Sequence, residues 1–377
     1  MATIISKDSF LKEQFKKYYL MRTLPEVRAL QRREWGSIPF GGKMVRHMGV
    51  KSHAELMEYL RRNVPAHVYH SAAMYADPAA TTMDGKDRIG TDLVFDLDAD
   101  HIPGANLWTY ERQLNRIKHQ TIRLIEALEV DFGIPIQDIE VVFSGRRGYH
   151  IRVLNKTHLS STARREIATA FTGAGLNISG ELKATVVDKE TLLQLPPTGG
   201  WASRARRFLE GYLQVLDSMP EKERIRTLRA VPGIGPKGAK SFRSEDYVSG
   251  GIWTRTKSER LAWKSLWEYS WESARVDIDA PVTADVHRLI RCPDSLHGKT
   301  GFRAALLPPE ALEYFDPLKD AVVFDDIPVT VIPDHDVEIS LRGEMFKLRS
   351  GEESELPMFA AVFALAGRKL YYTTEDV

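Results

Sequence analysis

The stretch Leu93-Val94-Phe95-Asp96-Leu97-Asp98-Ala99-Asp100 alternates without a break. It predicts a strand with Phe95, Leu97 and Ala99 on one face and Asp96, Asp98 and Asp100 on the other. The apolar face suits a core. The opposite face carries three carboxylates at steps of roughly 6.5–7 Å. Like charges that close oppose one another's ionisation unless a cation lies among them, and paired carboxylates suit the oxygen preference of Mg²⁺ or Mn²⁺. A solvated polar face is the plainer alternative.

Upstream, the spacing of Phe10, Leu11, Phe15 and Tyr18 predicts an opening helix, Ala54–Asn63 a second, and His67–His70 a short strand. Downstream, Pro103-Gly104 breaks the chain. Leu107, Tyr110, Leu114, Ile117, Thr121, Leu124 and Leu128 then predict a long amphipathic helix. Strands at Ile139–Phe143 and Ile151–Leu154 enclose the loop Ser144–His150. Residues 161–271 read as mainly helical, with a break at Pro196–Gly200 and local basicity at Arg204, Arg206 and Arg207. Arg275–Asp279 returns to strand alternation, and Pro281 opens a helix through about Leu289. Strands follow at Val329–Ile332, Val337–Leu341 and Met345–Leu348, then an apolar helix from Pro357. The expected class is mixed α/β (α+β).

The chain has 377 residues, a net charge of +1 and a single cysteine, Cys292. That charge gives no global affinity for nucleic acid, so such a partner must be met by local patches. One cysteine excludes a disulfide framework and a multi-cysteine zinc site, and points to a reducing compartment. No 18-residue apolar run and no apolar leader are present, so a cytoplasmic protein without membrane spans is expected.

Three clusters carry chemistry. Asp277 and Asp279 share a strand face, and one of them would complete a three-carboxylate site with Asp96 and Asp98, the ligand set of two-metal phosphoryl transfer. Ser144-Gly145-Arg146-Arg147-Gly148-Tyr149-His150 sets two arginines between glycines, a pattern that lets backbone approach a ligand while guanidiniums grip phosphate. Arg288–Gly301 gathers Arg288, Arg291, His297 and Lys299 near glycines, fitting the triphosphate end of a nucleotide.

With these clusters in order, the sequence resembles the catalytic small subunit of archaeal and eukaryotic DNA primases, over roughly residues 10–155 and 275–350. Arg291-Cys292-Pro293-Asp294-Ser295-Leu296-His297-Gly298-Lys299 is similar to the archaeal form. The resemblance implies a primase-like catalytic core of two packed α/β units (1–185 and 275–350), a helical insertion (186–274), and a C-terminal helix and tail (351–377). It implies Asp96, Asp98 and Asp279 as catalytic ligands of Mg²⁺ or Mn²⁺, with Asp277 in reserve. Ser144, Arg146, Arg147 and His150 would hold the incoming nucleotide, Arg291 and His297 its phosphates, and Arg46 a further phosphate. The implied activity is that of a nucleotidyltransferase making primers de novo on single-stranded DNA from nucleoside triphosphates, with a large primase subunit as partner. The family's zinc knob, due shortly after the first aspartate motif, has no cysteines here and is read as absent.

Val231-Pro232-Gly233-Ile234-Gly235-Pro236-Lys237-Gly238-Ala239-Lys240 has the form of a helix-hairpin-helix turn. Gly233, Gly235, Lys237 and Lys240 would contact DNA phosphates without reading sequence. A tight turn between packed helices is the alternative. Trp263, Trp267 and Trp271, four residues apart, predict a packed helix face. Two rival functions remain: a gap-filling polymerase of the family X type, and a non-catalytic DNA-binding accessory protein.

Overall fold

The structure, a computed structural model, describes residues 6–102, 104–173, 182–197, 199–248, 251–367 and the backbone of 371–372. Pro103, Thr198 and residues 373–377, on which two expected breaks and the tail partly fall, lie outside the described residues. Two compact units emerge: Met1–Ile125, Ile134–Ala168 and Ile278–Val377 in one, Glu126–Gly133 and Thr169–Asp277 in the other. The expected boundary at 185/186 therefore falls inside the second unit. The segment after 350 belongs to the first, because its helix Met358–Ala366 is buried along most of its length.

In the first unit the alternating stretch forms the strand Leu93–Asp98. It pairs antiparallel with Gly148–Val153, which pairs with Ile139–Phe143, which in turn pairs with Leu306–Leu307. Phe95, Leu97, Tyr149 and Ile151 are buried on one side, and register sets Asp96 opposite His150 and Asp98 opposite Gly148 on the other. The strand stops two residues earlier than the alternation suggests. The Asp98 carboxylate accepts the Asp100 N–H (2.9 Å) and turns the chain into a 3₁₀ turn, Ala99–His101, so Asp100 leaves the carboxylate face.

A second antiparallel sheet runs Leu289–Arg291, His67–Ser71, Trp35–Ile38, Val45–Met48. The strand Leu289–Arg291 replaces the end of the helix expected from Pro281, which closes after Ala280–Ala284. Nor is Arg275–Asp279 a strand. Its ladder is reduced to one bond, Asp279 N–H to the Asp96 carbonyl (2.8 Å), and Asp279 then caps the short helix, where Pro281 fits. Helices Lys7–Met21, His53–Asn63 and Tyr110–Val130 form as their spacing predicts, but Leu107 sits exposed in a 3₁₀ turn ahead of the last of these. Just ahead of the aspartate strand in sequence, Asp92 forms a buried ion pair with Arg33 (2.7 Å), which also donates to the carbonyls of Ser71 and Ala72.

The second unit is less helical than expected. Its four-stranded antiparallel sheet runs Tyr247–Val248, Gly251–Thr254, Glu190–Gln194, Lys183–Val187. Isolated β-branched and leucine runs there are too short to separate strand from buried helix by period alone. The helices Gly200–Asp217, Glu221–Ala230 and Lys257–Ser273 bury Leu209, Leu228, Trp263 and Trp267 in one core. The tryptophan face is thus packed, as its spacing predicts. Arg204 is buried and paired with Asp131, which Arg207 also binds (3.0 Å), so the local basicity there is largely neutralised.

Candidate active site

Strand register brings the candidate residues together. Asp96 and Asp98 project from one strand beside His150 of its neighbour, with His150 Nε2 3.6 Å from an Asp96 oxygen. Gly148 permits this closeness: a Cβ there would lie 2.2 Å from the Leu97 carbonyl oxygen. Asp96, Asp98, Ser144, Arg146 and His150 line a cavity of about 170 Å³, together with Arg291 and His297 from the other sheet and the loop after it. Arg288, from the same basic cluster as Arg291 and His297, also lines it, as does Tyr69, which sequence reasoning did not single out. The Ser144 hydroxyl is buried with no protein partner.

Three successive carbonyls hold the arginine loop. The Thr300 hydroxyl donates to the Gly145 carbonyl (2.6 Å), the Tyr110 hydroxyl to that of Arg146 (2.5 Å), and the Ala99 N–H to that of Arg147 (3.2 Å). Gly145 adopts φ +81°, and a Cβ on it would lie 2.7 Å from that of His297. Loop and His297 turn are therefore in direct contact. Arg146 reaches the cavity. Arg147 does not line it; its guanidinium is bound by Asp100 (2.5 Å). Arg46 is also placed elsewhere, held by Glu34 (2.9 Å), whose buried carboxylate needs that partner.

The Arg291 guanidinium lies 4.5 Å above the Tyr69 ring and donates to His67 Nδ1 (2.9 Å). Burial, then the Arg291 charge, pushes His67 down to about 3. It is a neutral acceptor behind the site, and no spacing in the sequence announces it. His297 is likewise held well below its ordinary value by burial and then by Arg291. Its Nδ1 accepts the Lys299 N–H (3.2 Å), which leaves the proton of the neutral ring on Nε2. Arg146, His67 and Lys299 line a second cavity of about 630 Å³.

Asp96 is pushed up by burial. His150 and Arg288 oppose that rise, and the charges of Asp98 and Asp279 add to it. Such crowding of hard oxygen donors fits a divalent cation. The donors do not converge, however. Among the described residues no three His, Cys, Asp or Glu side chains form a ready ligand set. One Asp279 oxygen caps its helix at Val282 N–H (3.3 Å) and the other faces His101 Nε2 (3.8 Å), while Asp98 is engaged with Asp100. Asp277 lies in the other unit. So do Gly233 and Gly235, on an exposed turn between Glu221–Ala230 and Pro236–Ser241, and the exposed Lys237 and Lys240 on the second of these helices. Cys292 is buried, and burial raises its thiol well above the usual range. None of the described helices is long and apolar enough to cross a membrane.

Comparison with known proteins supplies an independent line. A family model described as DNA primase small subunit matches residues 95–307. A protein named DNA primase small subunit PriS from Methanothrix thermoacetophila is 40% identical over 383 aligned residues, covering 95% of this chain and 97% of the relative. Proteins of the same name from Methanococcoides burtonii (36% identical, 94% and 96% covered) and Picrophilus torridus (34% identical, 97% and 98% covered) match over similar spans. Among solved structures, the polymerase domain of Mycobacterium tuberculosis ligase D in complex with DNA aligns over 84% of this chain and 89% of that one. Its TM-score is 0.37 and its identity 13%, a likeness too distant to add weight.

Proposed function

Because the chain belongs to the DNA primase small subunit family, and so to the nucleotidyltransferases, we propose that it starts chains de novo on single-stranded DNA by two-metal nucleotidyl transfer. The observation that carries this reading is the cavity shared by two carboxylates, a buried unpartnered serine hydroxyl, three arginines and two histidines. At about 170 Å³ it is smaller than the roughly 300 Å³ at which enclosing ligand pockets begin. It suits the phosphate end of a nucleotide and leaves the base outside, where a template can read it.

In this reading Arg146 and Arg291 bind phosphate oxygens, and the Ser144 hydroxyl and His297 Nε2–H donate to them. His67 keeps Arg291 oriented. Asp96, Asp98 and Asp279 would hold Mg²⁺ or Mn²⁺ after their side chains turn inward. Bound there, the ions would lower the pKa of the attacking 3′-hydroxyl and neutralise the triphosphate. A large primase subunit is the expected partner. The helix-hairpin-helix-like turn, with Gly233, Gly235, Lys237 and Lys240, is a further DNA contact in this proposal.

The test compares synthesis on a single-stranded template with and without a supplied primer, using the wild type and an Asp96→Ala, Asp98→Ala double variant. Product from the unprimed template, lost in the variant at unchanged thermal stability, supports the reading. Synthesis only with a primer favours a gap-filling polymerase. Absence of metal-dependent nucleotide binding by calorimetry favours an accessory protein.

A further inference from the structure

Residues 221–243 hold seven lysines and arginines against two acids, a local excess of five charges in a chain whose total is +1. The two acids, Glu221 and Glu223, lie in the first turn of Glu221–Ala230, where the helix dipole favours them, and leave its other end basic. Lys222, Arg226 and Arg229 follow at spacings of 4 and 3, which places them on one side of that helix, and all three are exposed. On Pro236–Ser241, Lys237 and Lys240 stand three apart and exposed, Gly238 and Ala239 between them are buried, and exposed Arg243 follows. Among the described residues none of these six cations has an ion-pair or hydrogen-bond partner for its side chain. Other arginines of the same unit are paired: Arg207 with Asp131 (3.0 Å) and Arg255 with Asp246 (2.8 Å). Like charges one turn apart oppose helix formation unless an anion lies among them, and here the arrangement occurs on two helices joined by one turn. That turn is exposed at Pro232, Gly233 and Gly235. A Cβ on Gly235 would meet nothing within 4 Å, so an anion can approach the backbone there.

Lys222 to Arg229 covers about 10 Å of helix, the axial length of about three phosphates of one strand. A single-stranded polymer is held by aromatic side chains on which its bases stack as well as by cations. The one aromatic residue of this segment, Phe242, is buried, and so is Trp263, against which it packs. Cations without a stacking platform suit a duplex, whose bases are already stacked and whose phosphates face outward. We propose that these two helices and their turn grip duplex nucleic acid by its phosphates, without reading its sequence. In a polymerising enzyme that duplex is the product of synthesis, the primer on its template. The proposal therefore rests on the function argued above, and makes the DNA contact of the turn a contact to product instead of bare template.

The test reads binding and needs no synthesis. Anisotropy of a labelled blunt DNA duplex, and separately of a labelled oligothymidylate, is measured across a salt series for the full-length wild type and three double variants. These are Arg226→Gln with Arg229→Gln, Lys237→Gln with Lys240→Gln, and Lys12→Gln with Lys16→Gln, the last removing the same charge from exposed positions of Lys7–Met21. Each of the first two is expected to bind duplex on the order of tenfold more weakly, with a salt slope lower by about 1.8, two phosphates at about 0.9 each. Oligothymidylate affinity should change by less than about twofold, because stacking elsewhere carries it, and thermal stability should hold. The Lys12, Lys16 variant should match the wild type. Unaltered duplex affinity in the variant of either helix, an equal loss for oligothymidylate, or an equal loss in the Lys12, Lys16 variant overturns the proposal. If duplex binding falls as expected but the wild type makes no product on an unprimed template, the grip stands and the priming function fails. If unprimed product forms and duplex binding is unaltered, priming stands and the grip fails.

Discussion

Gly148→Ala tests how closely the site depends on strand geometry. Gly148 is the register partner of Asp98, and an added Cβ would stand 2.2 Å from the Leu97 carbonyl oxygen and 3.1 Å from the Asp98 Cα. Both obstacles are backbone, so no side chain can rotate away. An ordinary carbon–oxygen contact is about 3.3 Å, so the two strands must part by about 1 Å at the aspartate end. Overpacking of this kind costs about 1–3 kcal/mol of stability, leaving a marginally stable fold still formed at 25 °C. The functional cost is larger, because a displacement of about 1 Å at a reacting centre is worth on the order of 100-fold in rate. The assay pairs urea denaturation with steady-state extension of a primed template. Gly211→Ala is the control: it lies inside the helix Gly200–Asp217 with open space at its Cβ position, and should gain about 0.5–1 kcal/mol with activity unchanged. Activity within twofold of wild type in Gly148→Ala refutes the argument that strand spacing sets the carboxylate geometry.

Thr300→Val removes the hydroxyl that ties the Gly145 carbonyl to the His297 turn and leaves that buried acceptor unpaired, at about 1–3 kcal/mol. Nucleotide KM should rise about tenfold with kcat little changed, while Thr300→Ser stays near wild type; equal kinetics for the two variants would show that the hydroxyl does not position the loop. Acid should destabilise the fold through its buried neutral histidines. His67, His70 and His297 all have native pKa values below 6.5, so the unfolded chain binds more protons below that pH. Their contribution is complete above about pH 6.5 and is lost as pH falls, for His67 down to about 3, at up to about 1.4 kcal/mol per pH unit per histidine. Asp96, with its raised pKa, acts in the opposite sense. Denaturation midpoints that stay level from pH 7 to pH 5 would contradict this account.

The family membership means that much of the function was readable from three short segments, each carrying chemistry in a local pattern. Period-two alternation identified the strand of Asp96 and Asp98, because burial of Phe95 and Leu97 forces the intervening carboxylates outward. Period 3.6 identified the long helix for the same reason. Glycines flanking Arg146 and Arg147 marked a close backbone approach, but the close neighbours were visible only in three dimensions: Leu97 for Gly148, His297 for Gly145.

What the sequence could not decide was pairing between distant segments. Adjacent arginines in one loop look equivalent on paper, yet Arg146 enters the cavity while Arg147 is drawn to Asp100. Arg46 is taken by Glu34, a partner 12 residues away that no local period reveals. His67 becomes the support of Arg291 only because two strands 224 residues apart in sequence lie side by side. Local patterns follow from which side chains must leave water, and these are written in neighbouring residues. The choice among competing ion pairs and hydrogen bonds follows from which backbones meet, and in this protein tertiary structure alone decides that.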